Sequence, residues 1–567
     1  VSQNIAVFVA WPYANGDLHL GHVAGAYLPA DIFARFHRLR GNNVMMASGS
    51  DSHGTPITLK AKEKGVSPRE VVEEYHERFI EDFKALGIQF DIFTHTLTKN
   101  HAEVVTEIFK TLVKKGDLEV HTEEQFFDEK EQMFLADRYV KGECPVCGYE
   151  RARGDECEKC GKTFESTSIK NPISTLSNTT PVLKETDHFY LHMERYQERL
   201  AAWVSSKSQW RNHVESLTNA WIQDGLRPRA VTRDIDWGIP VPEEGWESKV
   251  IYVWFDAVIG YLSASKEYGR IKGNPDLWKD WWLGKDAKTY YFIGKDNIPF
   301  HTVIWPIELM AYDESLNLPF DVPANQFLNI EGEKFSTSRG HAVWLREILE
   351  TLDADALRFY MASILPETKD ANYSKEELKL RNNGELTSAW GNLVQRVIGF
   401  TAAKLDGIIP AKREYSDRDR ELLSQCENAF KVVEEHYSEV RLRDALRESM
   451  NFVREINKYL DDTAPWTLIK TDRAGTEHVI SVAFDMILSA NMLLAPILPF
   501  SAQVIQNILG DGSLLFPESS SMIVDEKEDK HIVLTNLPFK AINRFFPMQV
   551  EVGRNIVKGD PLFKILE

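Results

Sequence analysis

The amino-acid sequence predicts an α/β protein whose parallel sheet is broken by a cysteine-bearing insertion and followed by an all-α helical bundle. Three observations carry this. Apolar runs alternate with helical patterns over the first hundred or so residues. Four cysteines sit together where that alternation stops. From about Ser374 to residue 510, apolar residues recur at helical spacing. Strand, helix, strand, helix is the order of a parallel sheet, and sustained 3.6-residue periodicity is that of a bundle.

In chain order, "IAVFVAW" (Ile5–Trp11) reads as a buried strand. "HVAGAYLPADIFARFHRLRG" reads as a helix ending at Gly41, with a kink or break at Pro29, where the ring removes a helical hydrogen bond. "NNVMMASGSDSHGTP" is a second strand running into a Gly/Ser/Asp turn. "SPREVVEEYHERFIEDFKALG" is an amphipathic helix with Ser67 as N-cap, Pro68 in the first turn and Gly87 past its end. From about Lys115 to Arg227, short strand-like pieces around the cysteines and a polar helical stretch mark an insertion. The α/β signal returns in "KVIYVWFDAVIGYL" and "TYYFIGKDNIPFHTVIWP". "LTSAWGNLVQRVIGFTAAKL", "LRDALRESMNFVREINKYLDD" and "HVISVAFDMILSANMLLAPIL" are bundle helices. The expected division is 1–115 and 229–325 for two halves of the α/β unit and 116–228 for the insertion. Residues 326–375 form a loop-bearing segment and 376–567 the helical domain.

A chain of 567 residues with 43% hydrophobic and 27% charged residues is globular and multidomain, not disordered or fibrous. No uninterrupted apolar stretch reaches the roughly 18 residues of a membrane span, and the start lacks the basic region and cleavage site of a signal peptide. A cytoplasmic protein without membrane contact is expected. The formal charge of −19 argues against phosphate binding over the whole surface. One stretch is locally basic: Arg381, Arg396, Lys404, Lys412 and Arg413 stand against Glu385 and Asp406.

Cys144, Cys147, Cys157 and Cys160 read C-x2-C-x9-C-x2-C. Two such knuckles complete a tetrahedral thiolate site for one structural Zn²⁺, with no position left open for catalysis. Gly148 and Gly161 follow each knuckle, where a permissive turn residue is needed. Cys426, in a helical pattern, reads as a small buried apolar residue.

"WPYANGDLHLGH" (Trp11–His22) places two imidazoles and two glycines where a strand meets a helix. Unpaired N–H groups at such a helix start favour phosphate. His19, His22, Asp51 and His53 fall beyond strand ends, where ligands of parallel sheets bind. "NIEGEKFSTSRG" (Asn329–Gly340) gathers a lysine, three hydroxyl residues and an arginine, a composition suited to gripping a polyphosphate. Taken singly, each has a plainer reading: capping or surface histidines, and a polar turn.

Together, "HLGH" and "KFSTS" resemble the two signature motifs of class I aminoacyl-tRNA synthetases. "AWPYANGDLHLGH", "GSDSHGTPI", "RAVTRDIDWGIPVP", "YVWFDAVIGYL", "FIGKDNIPFH" and the cysteine spacing narrow the resemblance to the methionyl-tRNA synthetase family, over nearly the whole chain from Ile5. The resemblance implies a Rossmann-type parallel sheet with a zinc-binding insertion, then an all-α helical bundle that reads the anticodon. It implies ATP-dependent activation of methionine to methionyl-adenylate, and transfer to the terminal adenosine of tRNA(Met). Mg²⁺ would accompany ATP.

Residue by residue, the resemblance assigns His19, His22 and Lys334 to catalysis on the ATP phosphates. Gly21, Lys295, Asp296 and Ser336 complete the nucleotide site. It gives Tyr13, Trp254, Ala257, Tyr261, Ile293 and His301 to the methionine pocket, Asp51 to the substrate ammonium, and Arg233 as partner of Asp51. Asn392, Arg396 and Trp466 match anticodon contacts. Four positions depart from the common pattern: Thr337 replaces a second lysine, Trp11 a leucine, Val258 a proline and Ser388 an asparagine. With the sequence ending soon after the bundle, a monomer is expected. Another class I synthetase or a small-molecule adenylyltransferase is the competing enzyme reading. A zinc-ribbon RNA-binding protein is the competing non-enzyme reading.

Overall fold

The computed structural model describes residues 2–135, 139–154, 157, 159–160, 162, 164–330, 342–527 and 529–567, together with the backbone of 333–334. Five strands form a parallel sheet: β1 (Asn4–Val9), β2 (Asn43–Ser50), β3 (Ile92–His95), β4 (Lys288–Gly294) and β5 (Ala324–Asn325). Their order is β5-β4-β1-β2-β3, so successive connections run outward in opposite directions from the gap between β1 and β4. That reversal opens a crevice at the carboxyl ends of these strands. The strands are apolar at consecutive positions because helices cover both faces.

The sheet does not stop at β3. A hairpin of β6 (Ser519–Glu526) and β7 (Asp529–Asn536) adds two antiparallel strands, with Leu534 opposite Phe93. The sequence reading leaves this hairpin inside the 376–567 helical stretch; the structure places it on the sheet edge. A two-stranded hairpin is marginal alone and finds its stability on an existing sheet.

The first crossover begins with a π-helical turn, Val23–Tyr27, and continues as α1 (Leu28–Leu39) with Pro29 in its first turn. The expected kink at Pro29 is therefore a change of helix type. The helical run is continuous from Leu20, and the proline follows the π turn directly, where the hydrogen-bond ladder is already shifted. Helix α2 (Pro68–Leu86) starts at Ser67, which exchanges hydrogen bonds with Glu70, and stops at Gly87, whose φ is +76°. Two further helices flank the sheet: α3 (Lys99–Lys115) and α4 (Val253–Ile271).

Helix α5 (Ala354–Ser363) joins sheet to bundle. Its Arg358 is fully buried, pairs with Asp31 of α1 at 2.6 Å and donates to the carbonyls of Pro496 and Ile497. A buried guanidinium satisfied from three elements fixes their relative position, since loss of any partner would strand a charge. The bundle consists of α6 (Asn392–Lys404), α7 (Asp417–Ser438), α8 (Leu442–Thr463), α9 (Arg473–Leu494) and α10 (Pro499–Leu509). By length and composition α9 could cross a membrane, yet every residue from His478 to Leu494 is buried within the protein. Cys426 is buried in α7, as its pattern predicts.

Candidate active site

The site assembles where β1, β2 and β4 end. Beyond β1 the chain turns back on β2: Asp51 N–H donates to the Pro12 carbonyl at 2.8 Å, and Ala14 N–H to the Asp51 carbonyl at 2.9 Å. This staples Tyr13 beside Asp51. The chain then reaches His19, which caps the short helical turn Leu20–His22.

The two histidines cap each other. His22 N–H donates to His19 Nδ1, and His19 N–H to His22 Nδ1, both at 3.3 Å. The rings stack with centroids 3.7 Å apart. An Nδ1 that accepts a backbone proton cannot carry one, so the bond pattern assigns both rings the Nε2–H tautomer. Burial holds the His22 imidazole down to about 4, against a smaller upward pull from Asp296. At neutral pH the pair therefore presents two uncharged N–H donors. The folded value lies below the ordinary 6.5, so the stability this ring contributes is present above about pH 6.5 and is lost as pH falls through about 4. In protein labelled with ¹⁵N-histidine, the His22 resonance is expected to show the Nε2–H form and no titration between pH 5 and 8. A midpoint near 6.5 would contradict the assignment.

Asp296, just past β4, is the charged group that His22 feels. Its neighbour Lys295 bonds Asp370 at 2.9 Å and lies over the Phe327 ring at 4.0 Å. The strand Leu328–Ile330 packs against the turn Leu20–His22 and pairs with the backbone of Glu333–Lys334. Downstream, Leu20 N–H donates to the Val343 carbonyl at 3.0 Å, and Leu345 N–H to the Leu18 carbonyl at 2.9 Å. The described residues on either side of "KFSTS" are thus anchored on "HLGH", over 300 positions away in sequence. Ser336, Thr337, Arg339 and the side chain of Lys334 lie outside the described residues.

The residues expected to hold methionine lie on α4 and in or beside β4, apart from Tyr13. Trp254 Nε1–H donates to the Tyr13 hydroxyl at 2.8 Å, and the Trp254 ring meets Phe300 edge-on at 4.5 Å. His301 Nδ1–H donates to the Asn297 carbonyl at 2.9 Å, which leaves Nε2 to accept from the Tyr261 hydroxyl at 2.7 Å. Ile293 is fully buried in β4, and Ala257 lies on α4 between Trp254 and Tyr261. Trp11 fits because two facing positions lack side chains. A Cβ at Gly49 or Gly260 would lie 2.2 or 2.7 Å from its ring. Val258 is buried nearby in α4. Arg233 stacks on Tyr252 at 3.7 Å and donates to the carbonyls of Thr232 and Ala230.

Sequence reasoning missed Asp256 and Glu308. Asp256 binds His53 Nδ1 at 2.8 Å, and both side chains are buried. Burial and the nearby Asp256 push the Asp51 and Glu308 carboxyls well above the usual range. An aspartate in the apolar run "VWFDAVIGYL" was the available signal. Three carboxyl groups sharing a dry region favour an incoming cation.

In the insertion, Cys144 Sγ lies 4.0 Å from Cys160 Sγ, and Cys147 Sγ 3.6 Å from Cys157 Sγ. All four sulfurs fall within 4.8 Å of one another. Backbone N–H groups of Val146 and Cys147 point at Cys144 Sγ at 3.4 Å, which stabilises a thiolate. Gly148 takes φ +70°; Gly161 lies outside the described residues. In the bundle, Arg396 lies 4.8 Å over the Trp466 ring, which Phe400 backs edge-on at 5.0 Å. Asn392 is exposed one turn before Arg396 on α6. Ser388 turns its hydroxyl to the Asn383 carbonyl.

A crevice at the reversal point of a parallel sheet, lined by a reciprocal "HLGH" cap on which the described residues flanking "KFSTS" are anchored, defines a class I aminoacyl-tRNA synthetase. A family model for class I tRNA synthetases (M) matches residues 5–398, and one for the anticodon binding domain of methionyl tRNA ligase matches 409–542. The chain is 48% identical to methionine–tRNA ligase of Thermomicrobium roseum, covering 100% of this chain and 97% of that one. It is 45% identical to that of Dehalococcoides mccartyi, covering 100% and 98%. Mycobacterium tuberculosis methionyl-tRNA synthetase in complex with methionyl-adenylate superposes with TM-score 0.75 at 26% identity, over 90% of this chain and 94% of that one. The chain belongs to the methionyl-tRNA synthetase family.

Proposed function

We propose that the chain activates methionine with ATP and esterifies the 3′-terminal adenosine of tRNA(Met) with it. The observation that carries the reading is the neutral imidazole pair, each ring holding an Nε2–H donor, next to the anchors of the "KFSTS" segment. The methionine carboxylate attacks the α-phosphorus in line, the bond to the bridging oxygen breaks, and pyrophosphate leaves. No covalent enzyme intermediate forms, so the protein contributes position and charge stabilisation. His19 and His22 donate to the phosphate oxygens as negative charge grows. Gly21 lets the adenine approach the backbone, and Lys295, Asp296 and Ser336 complete the nucleotide site. Lys334 neutralises the leaving pyrophosphate, and Mg²⁺ enters with ATP.

Asp51 takes the substrate ammonium, and Arg233 is assigned as its partner. Tyr13, Trp254, Ala257, Tyr261, Ile293 and His301 enclose the thioether, whose sulfur gains from aromatic contact. The cysteine cluster suits one structural Zn²⁺ in its four-thiolate geometry. Its ligands stay reduced in a cytosolic setting. The functional division at 115, 228, 325 and 375 follows these roles.

Pyrophosphate exchange into ATP, run with each of the twenty amino acids, tests the reading. Methionine alone should support it; preference for leucine would point to another class I enzyme, and silence with all twenty would defeat the assignment. Single-stranded bases stack on aromatic rings for about 1–3 kcal/mol each. Trp466→Ala is therefore expected to weaken tRNA(Met) binding roughly tenfold or more, while exchange, which needs no tRNA, stays at the wild-type rate. A fall in exchange with unchanged tRNA affinity would reverse the assignment of Trp466.

A further inference from the structure

At the base of the insertion, three side chains converge on one another through two imidazole nitrogens and one carboxylate oxygen. The strand Leu118–Asp128 leaves the end of α3, and Val182–Leu191 returns antiparallel to it, with Leu118 opposite Leu191. Glu119 and His121 stand on the outgoing strand, and His192 follows the returning one. The Nε2 atoms of His121 and His192 are 3.4 Å apart. Glu119 Oε2 is also 3.4 Å from His192 Nε2, and the three ligand atoms lie within 4.8 Å of one another.

The remaining atoms of two of these groups are already held. His192 Nδ1 sits 2.7 Å from the Glu194 carboxylate, which retains the proton there and leaves Nε2 as a lone pair. Arg195 takes Glu119 Oε1 at 2.8 Å, so Oε2 is the oxygen that faces the imidazole.

We propose that Glu119, His121 and His192 form a second metal site, for a divalent ion of borderline softness such as Zn²⁺, separate from the four cysteines. The spacing is that of ligands around an ion. Two nitrogens 3.4 Å apart, each about 2.0–2.1 Å from a common centre, subtend about 110°. The Glu119 oxygen and His192 nitrogen, also 3.4 Å apart, subtend about 110° by the same geometry. Both angles are close to tetrahedral; the Glu119 oxygen and the His121 nitrogen stand farther apart, within 4.8 Å, and these two exposed side chains would turn inward to close on an ion. Glu194 and Arg195 act as the outer contacts that orient a ligating imidazole and carboxylate. Glu119 and His121 are exposed, so the fourth position opens to water. Two imidazoles disfavour the hard ions Mg²⁺ and Ca²⁺, which take oxygen ligands. An ion here would clamp the two strands from which the insertion hangs.

The test uses the full chain with its cysteines loaded with Zn²⁺ and loosely held metal removed, titrated with Co²⁺. One further equivalent is expected, with weak visible bands and without the intense near-ultraviolet charge transfer of thiolate-bound Co²⁺. His121→Ala should weaken that binding tenfold or more, and Glu119→Gln should weaken it as well. Both variants should keep wild-type methionine-dependent exchange, since neither residue belongs to the catalytic crevice. Zn²⁺ should raise the melting temperature of wild type and not of His121→Ala. Failure of wild type to take up the extra equivalent, a thiolate signature for it, or equal binding by His121→Ala would overturn the site.

Discussion

Replacing His22 by alanine is expected to lower the rate of methionine-dependent pyrophosphate exchange about 10²–10³-fold, the usual cost of removing one preorganised donor from a transition-state oxyanion site. The ring's Nδ1 is committed to His19 N–H at 3.3 Å, so its Nε2–H is held in one direction before substrate arrives. Burial keeps it neutral at working pH, so the donor is always present and no proton must be lost to form it. The loss should fall on kcat, with KM for methionine little changed, because the interaction strengthens only as charge develops. Alanine also removes the acceptor for His19 N–H. His22→Gln separates the two effects, since glutamine at the third position of such a cap can still accept that hydrogen bond. Glutamine should restore thermal stability and leave exchange far below wild type. Exchange by His22→Ala within about threefold of wild type would remove His22 from the chemistry.

Asp51→Asn should lower kcat/KM for methionine by about 10²–10³-fold, mainly through KM, with KM for ATP nearly unchanged. Its carboxyl is buried, and Asp256 pushes it further above the usual range. An arriving ammonium reverses that balance by pairing with the ionised form. Leaving one member of a buried pair alone costs about 3–5 kcal/mol. Asparagine keeps the shape and loses the charge. The free enzyme should be little destabilised, because among the described residues the Asp51 carboxyl accepts only the long His53 N–H contact at 3.5 Å, which the asparagine Oδ1 can keep. The des-amino analogue of methionine gives the sharper measurement. It should bind the variant and the wild type equally, since the term that Asp51 supplies is then absent from both. A variant that still favours methionine over that analogue as wild type does would show that another group holds the ammonium.

Much of this protein is local and therefore readable. The alternation that makes β1, α1, β2 and α2 follows from side-chain period and from capping residues that act within four positions, as Ser67, Glu70 and Gly87 do. The cysteine knuckles are equally local. Backbone N–H groups two and three residues on already point at Cys144 Sγ, so spacing alone announces the cluster. The pairing of "HLGH" with "KFSTS" was legible through resemblance and not through any short-range rule.

Other features belong to contacts between distant segments. Nothing in residues 519–536 says that they pair with β3, because a half-exposed alternating hairpin can cap any open sheet edge. No local pattern links Asp256, on an apolar helix, to His53, 203 positions away. Trp11, which stands in place of a leucine, is accommodated by Gly49 and Gly260, which face its ring. His121 and His192 are 71 residues apart, and only the antiparallel pairing of Leu118–Asp128 with Val182–Leu191, which His192 follows, brings their nitrogens together. The linear chain determined which elements form and which residue types are available, because propensity, capping and periodicity act over a few positions. Tertiary structure decided which of those residues meet, because burial and strand register act between segments that no local pattern connects.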